Sequence, residues 1–285
     1  MAVKVYKPGE QPRSYRRFGL YGPPKIGKTR LVTSLPWGSE FGWGNKAAYV
    51  AWDPGSDDWE MSPVLISDRE HLIMAKPEPE EVRGKLLLDP YETAIELACM
   101  DWRKVDPEIE TLIWDTMTST SENMRDAVAQ EGRYGNSITF GKSGTKSHLV
   151  HAQQGDYGAA QMMTQHIIDF LFDQPLNIIV LFHQKATDPD DIEQVGGPAT
   201  VGKAGIVPMA KRFDNLLRIA PERTRIGEGS PPKYETRRVV YTEPHGVWLA
   251  GMRSPRRNNP MSKYTLTDNT RQFWIDLHNN ARRSD

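Results

Sequence analysis

Gly22-Pro23-Pro24-Lys25-Ile26-Gly27-Lys28-Thr29 satisfies the pattern G-x-x-x-x-G-K-[ST] at every fixed position. Each residue type has a physical task. Glycines let the chain wind until backbone N–H groups converge on phosphate oxygens. The lysine neutralises charge on the outer phosphates, and the threonine hydroxyl is a ligand for Mg2+. Gly22 to Lys28, Thr29 and Arg30 are therefore the expected contacts of a bound nucleoside triphosphate. Asp115 closes the apolar run Thr111-Leu112-Ile113-Trp114 and is the expected second metal group, acting through water beside Thr29. Hydrolysis also needs a group that orients the attacking water, commonly a carboxylate on a strand beside the phosphate loop. Asp53 ends the apolar run Ala47 to Trp52, 31 positions after Gly22. Asp57 and Asp58 compete for that task, and an aspartate before Pro54-Gly55 also reads as a turn former. His183-Gln184 follow the run Asn177 to Phe182, where a polar pair can sense the γ-phosphate and pass its presence to the next loop. A histidine satisfied by backbone is the alternative for His183.

Other chemistries fit poorly. The guanine signature Asn-Lys-x-Asp is not met by Gln184-Lys185-Ala186-Thr187-Asp188, which makes ATP the expected nucleotide, with Mg2+. His148 and His151 lack cysteine neighbours for zinc, and no G-x-S-x-G elbow is present. The single cysteine, Cys99, cannot close an internal disulfide. No apolar run approaches the roughly 20 residues of a membrane helix, and Met1 to Lys7 lack the apolar stretch of a secretory signal, so a cytoplasmic protein is expected. The 285 residues carry 36 − 37 = −1 net charge with 26% charged and 38% hydrophobic residues, which excludes disordered and collagenous classes.

The elements that must position these groups follow from periodicity. Phe18 to Tyr21, Ala47 to Trp52, Thr111 to Trp114 and Asn177 to Phe182 read as buried strands. Thr29 to Leu35, Tyr91 to Trp102, Thr118 to Gln130 and a segment from Ala159 to Leu171 read as helices. Residues 56–88 are polar and proline-bearing, an expected irregular insertion. Residues 132–156 and 185–208 are Gly-rich loops with little to build a core. Leu216 to Ala220, Arg237 to Thr242 and Val247 to Ala250 form an expected antiparallel meander, followed by a helix capped by Thr267 or Asp268. The fold class is α/β, a mainly parallel sheet extended by antiparallel strands. The division expected is a basic arm over 1–14, a core over 15–253, and a tail with a short helix over 254–285.

These residues resemble the RecA-like P-loop ATPases of bacteriophages, in particular the Sak-type single-strand annealing and recombination proteins. The phosphate loop, Asp53 at the spacing of the family's catalytic carboxylate, Asp115 at its second acidic position, and His183-Gln184 before a Gly-rich loop carry the likeness. It spans about residues 15–255. Asp53 departs from the usual glutamate, and the large DNA-binding extensions of RecA itself are missing. The resemblance implies a RecA-like core with ATPase activity, working in phage recombination or replication in the host cytoplasm, and oligomerising on single-stranded DNA as a ring or filament. Arg133, Lys142, Lys146, Lys185 and Lys203 would then meet phosphates, and Tyr134 and Phe140 would stack on bases. Arg253, in Ala250-Gly251-Met252-Arg253, would reach nucleotide from a neighbouring subunit, with Arg256 and Arg257 beside it. A single-strand-binding protein or replisome component is an expected partner. The alternative is a nucleotide-gated interaction module, such as a helicase loader or recombination accessory. It would hydrolyse little and dock through the Phe273/Trp274 helix.

Overall fold

The computed structural model describes residues 15–53, 68–78, 80–82, 85–87, 89–131, 138–140, 145–147, 152–185, 195–202, 205–226, 233–252 and 261–282. The apolar runs become strands β1 (Arg17–Gly22), β2 (Lys46–Ala51), β3 (Leu72–Ala75), β6 (Ile109–Asp115) and β9 (Asn177–His183), with a hairpin β4 (Glu80–Val82) and β5 (Lys85–Leu87) before β6. A second hairpin, β7 (Ile138–Phe140) and β8 (Thr145–Ser147), stands within the first Gly-rich loop. The chain then forms β10 (Asn215–Ile226), β11 (Lys233–Tyr241), β12 (Gly251–Met252) and β13 (Lys263–Thr265). The helices are α1 (Lys28–Thr33), α2 (Pro90–Cys99), α3 (Trp102–Val105), α4 (Met117–Glu131), α5 (Gln154–Asp173), α6 (Ile206–Ala210) and α7 (Arg271–Arg282).

The main sheet has the order β13-β11-β10-β1-β9-β6-β2-β3, with β12 also paired to β10. From β10 across to β3 neighbouring strands run parallel, and β11, β12 and β13 add antiparallel edges. This is the expected architecture, a mainly parallel α/β core with an antiparallel extension. Helices cover both faces, so the parallel strands are apolar on both sides. Ile178 to Phe182 are wholly buried for this reason. Tyr21, Val50, Trp114 and Phe182 pack on the face covered by α2, α4 and α5. Leu20, Tyr49, Ile113 and Leu181 pack on the face that α1 and α7 cover. Period-2 alternation therefore sends Tyr49 and Val50 to opposite cores.

Local chemistry sets several boundaries. Asp89 caps α2 by accepting from the N–H groups of Tyr91 and Glu92 at 3.0 Å, with Pro90 in the first turn. α5 starts at Gln154, earlier than its apolar stripe suggests, because Asp156 accepts from the Gln153 N–H at 2.6 Å. β3 and the β4–β5 hairpin lie where an irregular insertion was expected, since β3 gains its partner only from β2. No strand covers Val247 to Ala250; Trp248 makes single bridges to Gly196 and His245, and pairing resumes at β12. α7 begins at Arg271, three residues past the expected cap at Asp268, after Thr270 accepts from Phe273 N–H.

The segment set apart as a tail returns to the core. Phe273 and Trp274 are buried, with Trp274 Nε1 donating to the Leu31 carbonyl at 2.7 Å. Ser34 and Thr270 share a hydroxyl–hydroxyl bond at 2.7 Å, and Trp274 meets Phe18 and Trp43 edge to face. Burial removes these two aromatics from the role of docking surface: α7 is the outer support of the helix that follows the phosphate loop.

Candidate nucleotide-binding site

The carboxyl ends of β1, β9, β6 and β2 bring Gly22, His183, Asp115 and Asp53 to one edge of the sheet, the edge where ligands bind in open α/β sheets. The loop from Gly22 to Gly27 can wind only because of its residue types. A side chain at Gly22 would run into the Ile219 carbonyl, and Gly27 holds φ at 99° in the left-handed region. Lys25 adopts φ 59° beside it. Ile26 packs down on the core cluster that holds Leu31.

Lys28 is buried to 7% exposure and its Nζ donates to the carbonyls of Gly22 at 3.3 Å and Pro23 at 3.0 Å. Burial pulls its ammonium below the ordinary lysine range, with Asp115 and Asp53 opposing that shift. Thr29 Oγ1 donates to Asp115 Oδ2 at 2.7 Å, and the buried Tyr49 hydroxyl donates to the same oxygen at 2.6 Å. Burial pushes the Asp115 carboxyl up, against the hydrogen bonds of Tyr49 and Thr29. The hydroxyl of Thr29 and the carboxylate of Asp115 are hard oxygen donors side by side, a set that suits Mg2+. Among the described residues no group of three His, Cys, Asp or Glu forms a closed cage.

Asp53 is held from three sides. His183 Nε2 lies 3.0 Å from Oδ2, while the hydroxyls of Ser119 and of Thr116 (3.3 Å) donate to Oδ1. Burial pushes the Asp53 carboxyl up, but His183, Ser119 and Thr116 outweigh it and hold the group below the ordinary carboxylate range. Asp53 does not stand on a strand next to the phosphate loop: β9 and β6 separate β2 from β1. It comes within reach because β9 delivers His183 and α4 delivers Ser119. The backbone of Asp53 is tied to the Asp115 carbonyl at 3.2 Å, and Asp115–Thr116 is a cis peptide.

The pair His183-Gln184 divides. His183 turns to Asp53, with its N–H bonded to Thr118 Oγ1 at 3.0 Å. Gln184 N–H donates to the Gly22 carbonyl at 2.9 Å, and its Oε1 accepts from Arg218 Nε at 3.3 Å. A cavity of about 690 Å³ opens beside them, lined by Asp53, Ser119, Arg125, Tyr157, His183 and Lys185. Lys185 Nζ donates to the Gly202 carbonyl at 2.8 Å, so this expected phosphate contact is engaged with its own loop.

The Arg30 side chain donates to the Asp268 carbonyl at 2.8 Å, which ties its guanidinium to the segment before α7. Pro24 is exposed at the loop tip. Phe140 lies on β7 and Lys146 on β8. Arg133, Tyr134, Lys142, Lys203, Asp57, Asp58, Arg253, Arg256 and Arg257 lie outside the described residues.

Four residues that sequence reasoning missed join the site. Tyr49 sits mid-strand, two positions before the end of β2, and reads as core. Ser119 and Arg218 carry no motif. Arg238, on β11, places Nη1 2.9 Å from where a Cβ on Gly27 would stand, so a cation from the antiparallel extension lies against the phosphate loop. Only the period-2 placement of Tyr49 opposite Val50 offered a signal, since it points toward the face of α1.

Residues 14–254 match a family described as an AAA domain. No curated protein matches the chain. Among solved structures the RadB recombinase is similar at 14% identity with a TM-score of 0.43, over 90% of each chain. A KaiC-like protein of the hyperthermophilic archaeon Pyrococcus horikoshii is similar at 12% identity and a TM-score of 0.46, over 89% of this chain and 86% of that one.

Proposed function

The chain belongs to the AAA-domain family, and from that premise we propose that it binds ATP with Mg2+ in the Gly22–Thr29 cradle and hydrolyses it. The observation that carries this reading is the bond of Thr29 Oγ1 to Asp115 Oδ2 at 2.7 Å beside the buried Lys28 ammonium. Thr29 and Asp115 would hold the metal. When bound, the metal supplies neutralisation of charge that develops on the phosphates. Lys28 exchanges the carbonyls of Gly22 and Pro23 for phosphate oxygens. Asp53, kept ionised by His183 and the hydroxyls around it, accepts a hydrogen bond from the attacking water and orients it. Backbone N–H groups of the wound loop complete the cradle.

The wider setting belongs to the same proposal: a phage recombination or replication ATPase of the Sak type, stimulated by single-stranded DNA and assembling on it as a ring or filament. Lys185, Thr200 and Gly202, described residues of the second Gly-rich loop, line the same cavity as Asp53 and His183, which supports it. Arg253 and its basic neighbours would act between subunits, and a single-strand-binding protein or replisome component would be the partner. No helix among the described residues is long and apolar enough to cross a membrane.

The test is ATP turnover with and without single-stranded DNA, alongside sizing of the assembly and Lys28→Ala. The expected result is turnover that rises with DNA, falls steeply with salt, and vanishes in the variant. Turnover and size indifferent to DNA would remove the DNA-dependent part, and nucleotide binding unaffected by Lys28→Ala would remove the whole. A second reading, a nucleotide-gated loader or accessory with little hydrolysis, is favoured by one feature: Asp53 is short and engaged by three donors. Partner binding lost in Lys28→Ala but untouched in Asp53→Ala would select it.

A further inference from the structure

Arg218 lies mid-sheet on β10, aligned with Tyr21 of β1 and Tyr241 of β11, at only 9% exposure. Its guanidinium stacks 4.2 Å above the Trp248 ring and 5.6 Å from that of Tyr241, and its Nε donates to Gln184 Oε1 at 3.3 Å. Burial pulls its pKa below the ordinary arginine value, with Tyr21 and Tyr241 opposing, yet the group stays charged. Gln184 itself is pinned to the first residue of the phosphate loop through its backbone, and it lines the cavity that Asp53 and His183 share. Trp248 packs on the middle of the second Gly-rich loop: Leu249 N–H donates to the Gly196 carbonyl at 2.9 Å, and a side chain on Gly196 would collide with the indole. One buried cation thus joins the residue just before this loop to the indole that packs on its middle.

The chemistry of that contact is directional. A guanidinium only donates, so the amide atom facing it must be the oxygen, and the N–H2 of Gln184 must occupy the opposite side. We propose that Arg218 is a positioning residue: by holding Gln184 Oε1 it presents the Gln184 N–H2 group, as a donor, to the terminal phosphate of a bound nucleoside triphosphate. This rests on the nucleotide reading above and adds to it which end of the sensor amide meets the phosphate and what sets it there. A donor so placed distinguishes ATP from ADP, since only the triphosphate supplies the acceptor. Rotation of the amide on release of the phosphate would break the contact with Arg218 and loosen Trp248 from Gly196.

A double-variant cycle tests this. Arg218→Met keeps an unbranched stem against Trp248, and Gln184→Ala removes the amide. Dissociation constants for ATP and ADP with Mg2+ are measured by competition against a fluorescent nucleotide for both singles and the double. Each single is expected to cut the ATP-over-ADP preference about tenfold, with ADP affinity unchanged within twofold and the double no worse than either single. Preferences that multiply in the double, or an Arg218→Met preference equal to wild type, overturn the proposal. Gln184→Glu keeps it falsifiable if Arg218→Met does not fold. Its carboxylate is expected to pair with Arg218, raising the melting temperature by a few degrees while abolishing the ATP preference; a lowered melting temperature overturns the proposal. Failure of the nucleotide reading looks different, because wild type would then bind neither nucleotide and Lys28→Ala would change nothing.

Discussion

Replacing Tyr49 by phenylalanine separates the electrostatics of Asp115 from its packing. The ring keeps its place in the core beside Leu31 and Ile113, so no cavity forms. What disappears is the 2.6 Å hydrogen bond to Asp115 Oδ2, one of two side-chain donors to that oxygen, the other being Thr29 at 2.7 Å. A hydrogen bond to a charged group contributes about 1.5–3 kcal/mol. Burial already pushes the Asp115 carboxyl up, and losing a donor that favours the ionised form pushes it further. The sign follows. A raised carboxyl is favoured in its neutral form, and the cost of ionising it falls as pH rises toward its folded value. Mg2+ needs the ionised form, so the variant must supply that ionisation energy from binding. The Mg2+-dependent part of ATP affinity is expected to fall about 10- to 100-fold at pH 7, which is the same free energy expressed as a ratio. Part of it should return at pH 9, where ionisation is less opposed. Titration of a fluorescent ATP analogue with Mg2+ and with EDTA, at pH 6 to 9, reads this out. Affinity equal to wild type at every pH, or an equal loss in EDTA, would refute the reasoning.

The Asp53 carboxyl is held below its ordinary value, so its contribution to stability is fully present above its unfolded value near pH 4 and lost as pH falls through the folded one. His183→Ala should shift that acid loss to higher pH in melting scans and slow turnover; an unchanged acid limb refutes the pairing. Trp274→Ala removes a 1% exposed ring and the donor to the Leu31 carbonyl, and large aromatic truncations cost about 3–5 kcal/mol. A melting temperature lower by about 10 °C is expected, and a drop under 2 °C would show that α7 does not support α1. Arg238→Gln removes the cation against Gly27, and ATP affinity should weaken about fivefold at low salt, with the deficit shrinking as salt screens the contact. An equal deficit at low and high salt would argue against a charge contact with phosphate.

Two supports for the site come from distant parts of the chain. α7 and the turn before it bond to the residues that follow the phosphate loop: Trp274 to Leu31, Asp268 to Arg30 and Thr270 to Ser34. β10 and β11 bring Arg218 and Arg238 from beyond the second Gly-rich loop. Arg218 comes from the last parallel strand and Arg238 from the antiparallel strand beside it.

The amino-acid sequence alone determines the phosphate loop, because Gly22, Gly27, Lys28 and Thr29 are adjacent and their task is carried by local backbone conformation. It also determines the buried strands, since a run such as Ile178 to Phe182 has no polar face to offer water. The acidic strand ends were legible for the same reason: Asp115 terminates its run. Side-chain partnership was not legible. Several parallel strands carry interchangeable apolar runs, so periodicity does not say which of them lie side by side. The order β1-β9-β6-β2 follows from how the crossover helices pack on the two faces. That order decides that His183, 130 positions from Asp53, meets it at 3.0 Å. It decides as well that Tyr49 reaches Asp115 and that Arg218 reaches Gln184. Contacts of such long separation depend on the register of whole strands against one another, and only the folded sheet sets that register.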